Sequence, residues 1–136
     1  MSRDTESPAD TSEVALSVFR KRPLCLGCAQ AVLYAFREDI DSGRLKLGGE
    51  FDGLTSEECI AKASAYNHGA DAEGMCGALQ SAIVCCPDIE DTMRETFREH
   101  AGSVKCREIR QERVWSCKEC VKQATLLVAR HLKESE

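Results

Sequence analysis

Apolar residues recur at steps of three and four along most of the chain, which is the spacing of one face of an α-helix. The clearest stretch runs from Leu24 to Asp41, and Ser42-Gly43 provides a stop signal after it. A second stretch, from Thr55 to Tyr66, begins with Thr55 as a predicted N-cap and Glu58 three residues later. That spacing is the pattern of a capping box, so the start of this helix is predicted as well.

The rest of the chain carries the same pattern between proline and glycine stops. It predicts helices over 13–22, 75–86, 89–101 and 116–132, and a short turn or helix near 106–109. The sequence lacks the sustained alternation of apolar and polar residues that would predict strands. Residues 1–12 contain only Met1 and Ala9 as apolar residues, so we expect a disordered tail there. The predicted fold is therefore all-α: a compact single-domain bundle of five to six helices over 13–136.

Length and charge narrow the classes of function. A chain of 136 residues with 43% hydrophobic content fits one domain. Its 18 basic and 23 acidic residues give a net charge of −5, so we expect neither nucleic acid nor a membrane as partner, because both attract basic surfaces. No apolar run approaches the length of a membrane span. Residues 1–13 lack the hydrophobic stretch of a secretory signal, which predicts a cytoplasmic protein.

Nine cysteines are the unusual feature of the composition. An odd number cannot pair completely within one chain, and disulfides are rare in a reducing cytoplasm. The cysteines are therefore core residues, metal or cluster ligands, or redox thiols.

Two Cys-x-x-Cys pairs, Cys25–Cys28 and Cys117–Cys120, could each direct two sulfurs to one point, because residues i and i+3 share a face of a helix. Together they would supply the four thiolates that zinc or an iron–sulfur cluster requires. The pairs are separated by 89 residues, far more than local zinc motifs allow. A shared site would require helices distant in sequence to meet.

The single cysteines divide into two groups. Cys76 lies between Gly74 and Gly77, where the backbone can approach closely and direct N–H groups at sulfur. Cys106 lies beside Arg107, whose positive charge would favour a thiolate. For both of them the residues alone leave core filling and ligation open. Core filling is favoured for the cysteines that lie among apolar helix residues: Cys59, Cys85 and Cys86.

Four ordered segments resemble a family of redox-active proteins named for its cysteine pattern, the C_GCAxxG_C_C family. They are GCAQAVLYAF (27–36), GMCGALQSA (74–82), KCREI (105–109) and CKECVKQA (117–124). The resemblance extends from about Phe19 to the last helix. The chain departs from the family pattern in two places. Ser81 replaces a glycine, so we expect looser helix packing there. The residues before the first segment also differ, which leaves Cys25 outside the core set of cysteines.

The resemblance implies a ligand set of Cys28, Cys76, Cys106 and Cys120, with Cys117 as a neighbour. A similar domain occurs in split-Soret-type cytochromes, where cysteines hold an iron–sulfur centre. Covalent haem is not expected here, because the chain has no Cys-x-x-Cys-His. Glycine-rich nucleotide-binding motifs are also absent from the sequence.

The leading hypothesis is an electron carrier or redox subunit rather than a stand-alone enzyme. In it, Cys28, Cys76, Cys106 and Cys120 hold an iron–sulfur cluster, with Cys117 as a further metal-ligand candidate. N–H groups and Arg107 adjust the potential of the cluster, and a redox partner protein exchanges electrons with it. A second hypothesis is a thiol–disulfide protein that uses Cys117–Cys120 or Cys28–Cys76. A third is a structural zinc site or an adaptor domain without catalysis. The run of charges over 107–113 is interpreted as a solvated face or a docking surface for an acidic redox partner. The sequence leaves homo-oligomerisation open.

Overall fold

The structure is a computed structural model that describes residues 7–69, 74–112 and 114–134. These residues form eight α-helices and contain no strand, so the all-α prediction is confirmed. The helices are α1 (Pro8–Val18), α2 (Cys28–Ala35), α3 (Arg37–Asp41), α4 (Ser56–Ala63), α5 (Gly77–Cys85), α6 (Glu90–Ala101), α7 (Cys106–Glu112) and α8 (Cys117–Glu134). Short 3-10 turns occupy Gly49–Phe51, Ser64–Gly69 and Pro87–Ile89.

Local chemistry fixes several of the helix ends. The Thr55 hydroxyl accepts from the Glu58 N–H at 3.2 Å, and the Glu58 carboxylate accepts from the Thr55 N–H at 2.9 Å, so the predicted capping box is present. Gly102 ends α6 with φ of 91°, a left-handed conformation that glycine adopts without strain. Ile89 is the N-cap of α6, and Asp88 lies in the 3-10 turn that precedes the helix.

Helix α2 is the centre of the bundle. It packs against α1, α4, α5 and α8, and α8 packs in turn against α1 and α5. Six of the eight residues of α2 are small or aliphatic and buried, and the two exceptions, Gln30 and Tyr34, are half-buried. The α2–α5 contact is close at Ser81, which is 1% exposed and donates its hydroxyl to the Ala29 carbonyl at 2.8 Å. The expectation of looser packing at Ser81 is therefore wrong, because the hydroxyl binds the backbone of the neighbouring helix.

The predicted tail over 1–12 is wrong for residues 8–12, while residues 1–6 lie outside the described residues. Helix α1 begins at Pro8, where the fixed φ of proline suits the first position of a helix. Ser7 is its N-cap and forms a capping box with Asp10. Thr11 and Ser12 are buried against the bundle, so this end of the helix belongs to the folded core.

The predicted helix over 24–41 is two helices with a different start. Residues 20–25 form an exposed loop, in which Arg20 and Cys25 have positive φ, and α2 begins only at Cys28. A break at Phe36 separates α2 from α3. This break and the full helix over Cys106–Glu112 bring the number of helices in the described residues to eight rather than five to six.

Within the described residues, none of the helices has both the length and the apolar character needed to cross a membrane.

Candidate cysteine site at one end of the bundle

Five cysteines line one small cavity at an end of the bundle. The lining residues are Cys28, Cys76, Cys106, Ile109, Arg110, Cys117 and Cys120. The cavity offers about 10 Å³ to the centre of a water molecule, which is room for roughly one water-sized occupant. The structure thus brings together the four cysteines of the family pattern and Cys117, although they come from four helices.

All five cysteines lie in or next to the first turn of a helix. Cys28, Cys106 and Cys117 are the first residues of α2, α7 and α8. Cys76 is the N-cap of α5, and Cys120 lies one turn into α8. The first turn of a helix has N–H groups without helical partners and the positive end of the helix dipole, so it stabilises negative charge on sulfur.

Backbone hydrogen bonds place Cys76 and Cys106 side by side although they are 30 residues apart. The Cys76 N–H donates to the Val104 carbonyl at 2.8 Å, and the Cys106 N–H donates to the Gly74 carbonyl at 2.9 Å. These bonds accompany an isolated antiparallel bridge between Met75 and Lys105. The short paired segment aligns the starts of α5 and α7 at the cavity.

A polar network fixes the start of α2. The side-chain oxygen of Gln30 accepts from the Gly27 N–H at 3.2 Å and from the Asn67 amide at 3.1 Å. The Asn67 oxygen accepts from the Ala29 N–H at 3.0 Å. The Gln30 amide donates to the Ile60 carbonyl at 3.1 Å. Cys28 lies between the residues bound by these contacts, so the network holds its backbone in place.

Gly77 is required beside the site because a side chain there has no space. A Cβ atom at this position would lie 2.9 Å from the Cys28 Sγ and would overlap the Tyr66 carbonyl oxygen. The glycine on the C-terminal side of Cys76 therefore allows α5 to approach the sulfur of α2, as the sequence pattern suggested.

The pKa of the Cys76 thiol is raised well above its ordinary value. The largest cause is a hydrogen bond with the Cys120 thiol, followed by burial and the negative charge that Cys120 would carry. Hydrogen bonds from the backbone N–H groups of Leu79 and Ala78 act in the opposite direction and lower this pKa. At Cys76 the hydrogen bond with Cys120, burial and repulsion from Cys120 together exceed the stabilisation from the helix start.

The pKa of Cys106 is also raised, first by burial and then by repulsion from Cys76, Cys117 and Cys28. A hydrogen bond from the Arg110 side chain lowers it. The sequence pointed to Arg107 as the cation at the site, and this expectation is wrong. Arg107 is exposed and does not line the cavity, whereas Arg110 lies one helical turn after Cys106 on the same face. The i, i+4 spacing is the signal that would have found it.

The donor set suits a thiolate-bound metal or cluster, since five sulfurs and one arginine are the chemical groups at the cavity. In their present rotamers the described His, Cys, Asp and Glu side chains include no group of three or more that could hold a metal ion. The five sulfurs line the same cavity, but no three of them are positioned to bind one metal ion. The donor chemistry fits, and ligation would require rotation of the cysteine side chains.

The remaining cysteines lie elsewhere. Cys59, Cys85 and Cys86 belong to the hydrophobic core, and Cys25 is exposed in the loop before α2. None of the nine cysteines, all of which lie among the described residues, forms a disulfide. Trp115 stacks edge-on against Phe97 and lies parallel to His100, which places it in the packing between α6 and the segment before α8.

Comparison of the chain with protein-family models, curated proteins and solved structures finds no match. The resemblance to the C_GCAxxG_C_C family therefore stays a prediction that rests on the four motif segments.

Proposed function

We propose that the chain is an electron-transfer protein that binds an iron–sulfur cluster through cysteines of the cavity, with Cys28, Cys76, Cys106 and Cys120 as ligands and Cys117 as a fifth candidate. The observation that carries this proposal is the convergence of five cysteines from four helix starts on one cavity. Unrelated core cysteines have no reason to share such a position.

The electrostatics of the cavity support a cationic occupant. Repulsion from neighbouring cysteines contributes to the raised pKa of Cys76 and of Cys106, so several thiolates can coexist only next to positive charge. Iron ions supply such charge and keep ligating cysteines deprotonated. The helix starts then act in the same direction, because their N–H groups face anionic sulfur.

Each element of the site has a role that follows from its contacts. The N–H groups of Ala78 and Leu79 donate to the Cys76 sulfur, and Arg110 donates to the Cys106 sulfur. Hydrogen bonds to ligating sulfurs stabilise the more negative, reduced state. Ile109 covers one wall of the cavity and limits access of water. When bound, an iron–sulfur cluster accepts and releases single electrons.

The test is the metal content of the protein purified without oxygen, followed by reconstitution with ferrous iron and sulfide. We expect a coloured protein with iron and acid-labile sulfide in similar amounts. A colourless, iron-free protein after reconstitution would contradict the proposal.

The size of the cavity favours a structural zinc site as a second candidate. Room for about one water-sized occupant suits a single ion without expansion of the site, and four cysteines are a common zinc ligand set. Zinc in the purified protein, retained through cycles of oxidation and reduction, would support this candidate over the cluster.

A thiol–disulfide protein is the third candidate, and the structure changes which pair would serve it. The hydrogen bond joins Cys76 to Cys120, on α5 and α8, rather than either pair named from the sequence. Oxidation of these two thiols to one disulfide would release two electrons and two protons to an external oxidant. Thiol counts before and after mild reduction would differ by two if this pair cycles.

A further inference from the structure

The charge of the chain is divided unevenly between two parts of the molecule. Two segments, 19–28 and 103–122, hold nine of the 18 basic residues but only three of the 23 acidic ones. The rest of the chain holds nine basic and twenty acidic residues. The two segments are therefore strongly cationic in a protein whose net charge is −5.

Both segments belong to the end of the bundle that contains the cysteine cavity. Segment 19–28 ends at Cys28, which lines the cavity, and contains the loop 20–25. Two backbone hydrogen bonds close this loop: the Arg20 N–H donates to the Leu26 carbonyl at 2.8 Å, and the Leu26 N–H donates to the Val18 carbonyl at 3.0 Å. Segment 103–122 contains α7 and the first turns of α8, which carry the other side of the cavity. We call this cationic surface around the cavity the basic end.

Ion pairs separate most described cations of the basic end from those of the rest of the chain. Elsewhere, Arg44, Lys62, Arg94 and Arg98 each form an ion pair with an acidic side chain. Among the described residues, seven exposed cations of the basic end form no ion pair: Lys21, Arg22, Lys105, Arg107, Arg110, Lys118 and Lys122. Unpaired surface charges of one sign create a potential that attracts the opposite charge over long range.

The basic end also carries the exposed large hydrophobic side chains of the described residues. Leu24 is 47% exposed in the loop 20–25, and Val114 is 60% exposed between α7 and α8. Apolar residues within a charged rim are the composition of a protein-binding surface, whereas nucleic-acid surfaces rely on charge and hydrogen-bond donors.

We propose that the basic end docks the acidic surface of a redox partner protein. Leu24 and Val114 supply the apolar contacts, and the unpaired lysines and arginines steer the partner to the mouth of the cysteine cavity. The proposal rests on the proposed function for the nature of the partner, but the docking itself is independent of what the cavity holds.

The test measures binding of the full chain, as purified, to an immobilised acidic ferredoxin as the probe. The test variant is K21E/R22E, in the loop 20–25. The matched control is K46E/K133E, which changes the net charge by the same amount at two exposed positions outside the basic end. Metal content is measured on each sample, so that loss of the cluster and loss of docking are read separately.

We expect binding at low ionic strength that weakens with added salt. K21E/R22E should lower the association rate by about tenfold or more, because oppositely charged rims steer association by factors of that size. K46E/K133E should stay within about twofold of the unaltered chain. Replacement of Leu24 by serine should raise the dissociation rate without changing the salt dependence.

Three results would overturn the proposal. The first is absence of binding to the acidic probe at low salt. The second is an equal effect of the two charge-reversal variants, which would show that only net charge matters. The third is tighter binding to a DNA duplex than to the acidic protein at the same ionic strength, which would assign the surface to nucleic acid. None of these depends on whether iron is found in the cavity.

Discussion

Helix α5 has cysteines at both of its ends, and the two ends differ in chemistry. Cys76 is the N-cap and faces four other cavity cysteines, with N–H groups of its own helix donating to its sulfur. Cys85 and Cys86 lie at the last turn, among core residues, where carbonyl groups and the negative end of the helix dipole disfavour a thiolate. One residue type thus serves two purposes according to its position in the helix.

The comparison shows that burial alone does not identify a functional cysteine. Cys76, Cys85 and Cys86 are all nearly inaccessible, and the pKa of each is raised. The difference lies in the neighbours. Near Cys76, N–H groups of its own helix donate to the sulfur and lower its pKa. At Cys85, burial is followed by repulsion from Cys86, Cys59 and Asp39, and at Cys86 burial is followed by repulsion from Asp88, so every cause raises the pKa.

The largest expected effect comes from removing cysteines from the two regions in turn. C76A/C120A should lose all bound iron and sulfide, because two of four predicted ligands are missing. C59A/C85A is the matched control, and it should retain iron while losing roughly 1–2 kcal/mol of stability for the small cavities left in the core.

Iron and sulfide analysis of both variants provides the measurement. Equal loss in both would contradict the division into a site and a core. The single variant C59A serves if the double control does not fold, since Cys59 lies outside the cavity.

The all-α fold class could be predicted from the sequence, and so could the set of cysteines that line the cavity. Helix boundaries were predicted wrongly where the backbone departs from helical geometry. Residues 20–25 carry apolar and cysteine spacing that suits a helix, but positive φ at Arg20 and Cys25 turns the chain into a loop. The start of α1 could have been found from Ser7, Pro8 and Asp10, which are standard N-terminal signals.

The grouping of the cysteines depended on the motif segments rather than on periodicity. Local spacing cannot show that Cys28 and Cys120 share a cavity, because their contact depends on how α2 and α8 pack. The choice between Arg107 and Arg110 is different, because the i, i+4 spacing from Cys106 indicates Arg110, whereas adjacency along the chain pointed to the wrong residue.

A smaller effect is expected at Gly77. G77A should destabilise the fold by about 1–3 kcal/mol and weaken metal retention, because the added Cβ would press on the Cys28 Sγ and the Tyr66 carbonyl. G48A is the control, since its Cβ would come closest to the Pro87 ring, at 3.3 Å, and would lie at an ordinary contact distance of 4.0 Å from the Val84 carbonyl oxygen. Urea unfolding with and without iron gives both quantities. Unchanged unfolding and metal content in G77A would refute the close approach of α5 to α2.

The burial of Cys86, at the C-terminal end of α5, predicts how stability changes at alkaline pH. Burial, with a contribution from Asp88, raises the pKa of Cys86 from 9.0 to about 12. The unfolded chain therefore loses this proton first, and the stability from the neutral thiol is complete below pH 9 and is lost as pH rises toward 12.

Each such thiol contributes a slope of about 1.4 kcal/mol per pH unit within that window. C86A should flatten the fall of the unfolding free energy between pH 9 and 11 relative to the unaltered chain. Identical slopes in the two proteins would show that Cys86 is not held neutral by burial.

The smallest effect is expected at the rim of the cavity. R110Q should make the reduction potential of the bound cluster more negative, because it removes a cation and a hydrogen bond to the Cys106 sulfur. The shift should be about 60 mV or less, the equivalent of a tenfold change in the one-electron equilibrium. R107Q is the matched control on the same helix and should shift the potential far less. A larger shift in R107Q than in R110Q would reverse the assignment.

The most direct test of the iron–sulfur assignment is X-ray absorption at the iron edge of the anaerobically purified or reconstituted protein. The proposal predicts a first shell of sulfur ligands and a second shell of neighbouring iron. Iron bound by nitrogen and oxygen alone, or a protein that takes up only zinc in a shell of four sulfurs, would contradict it.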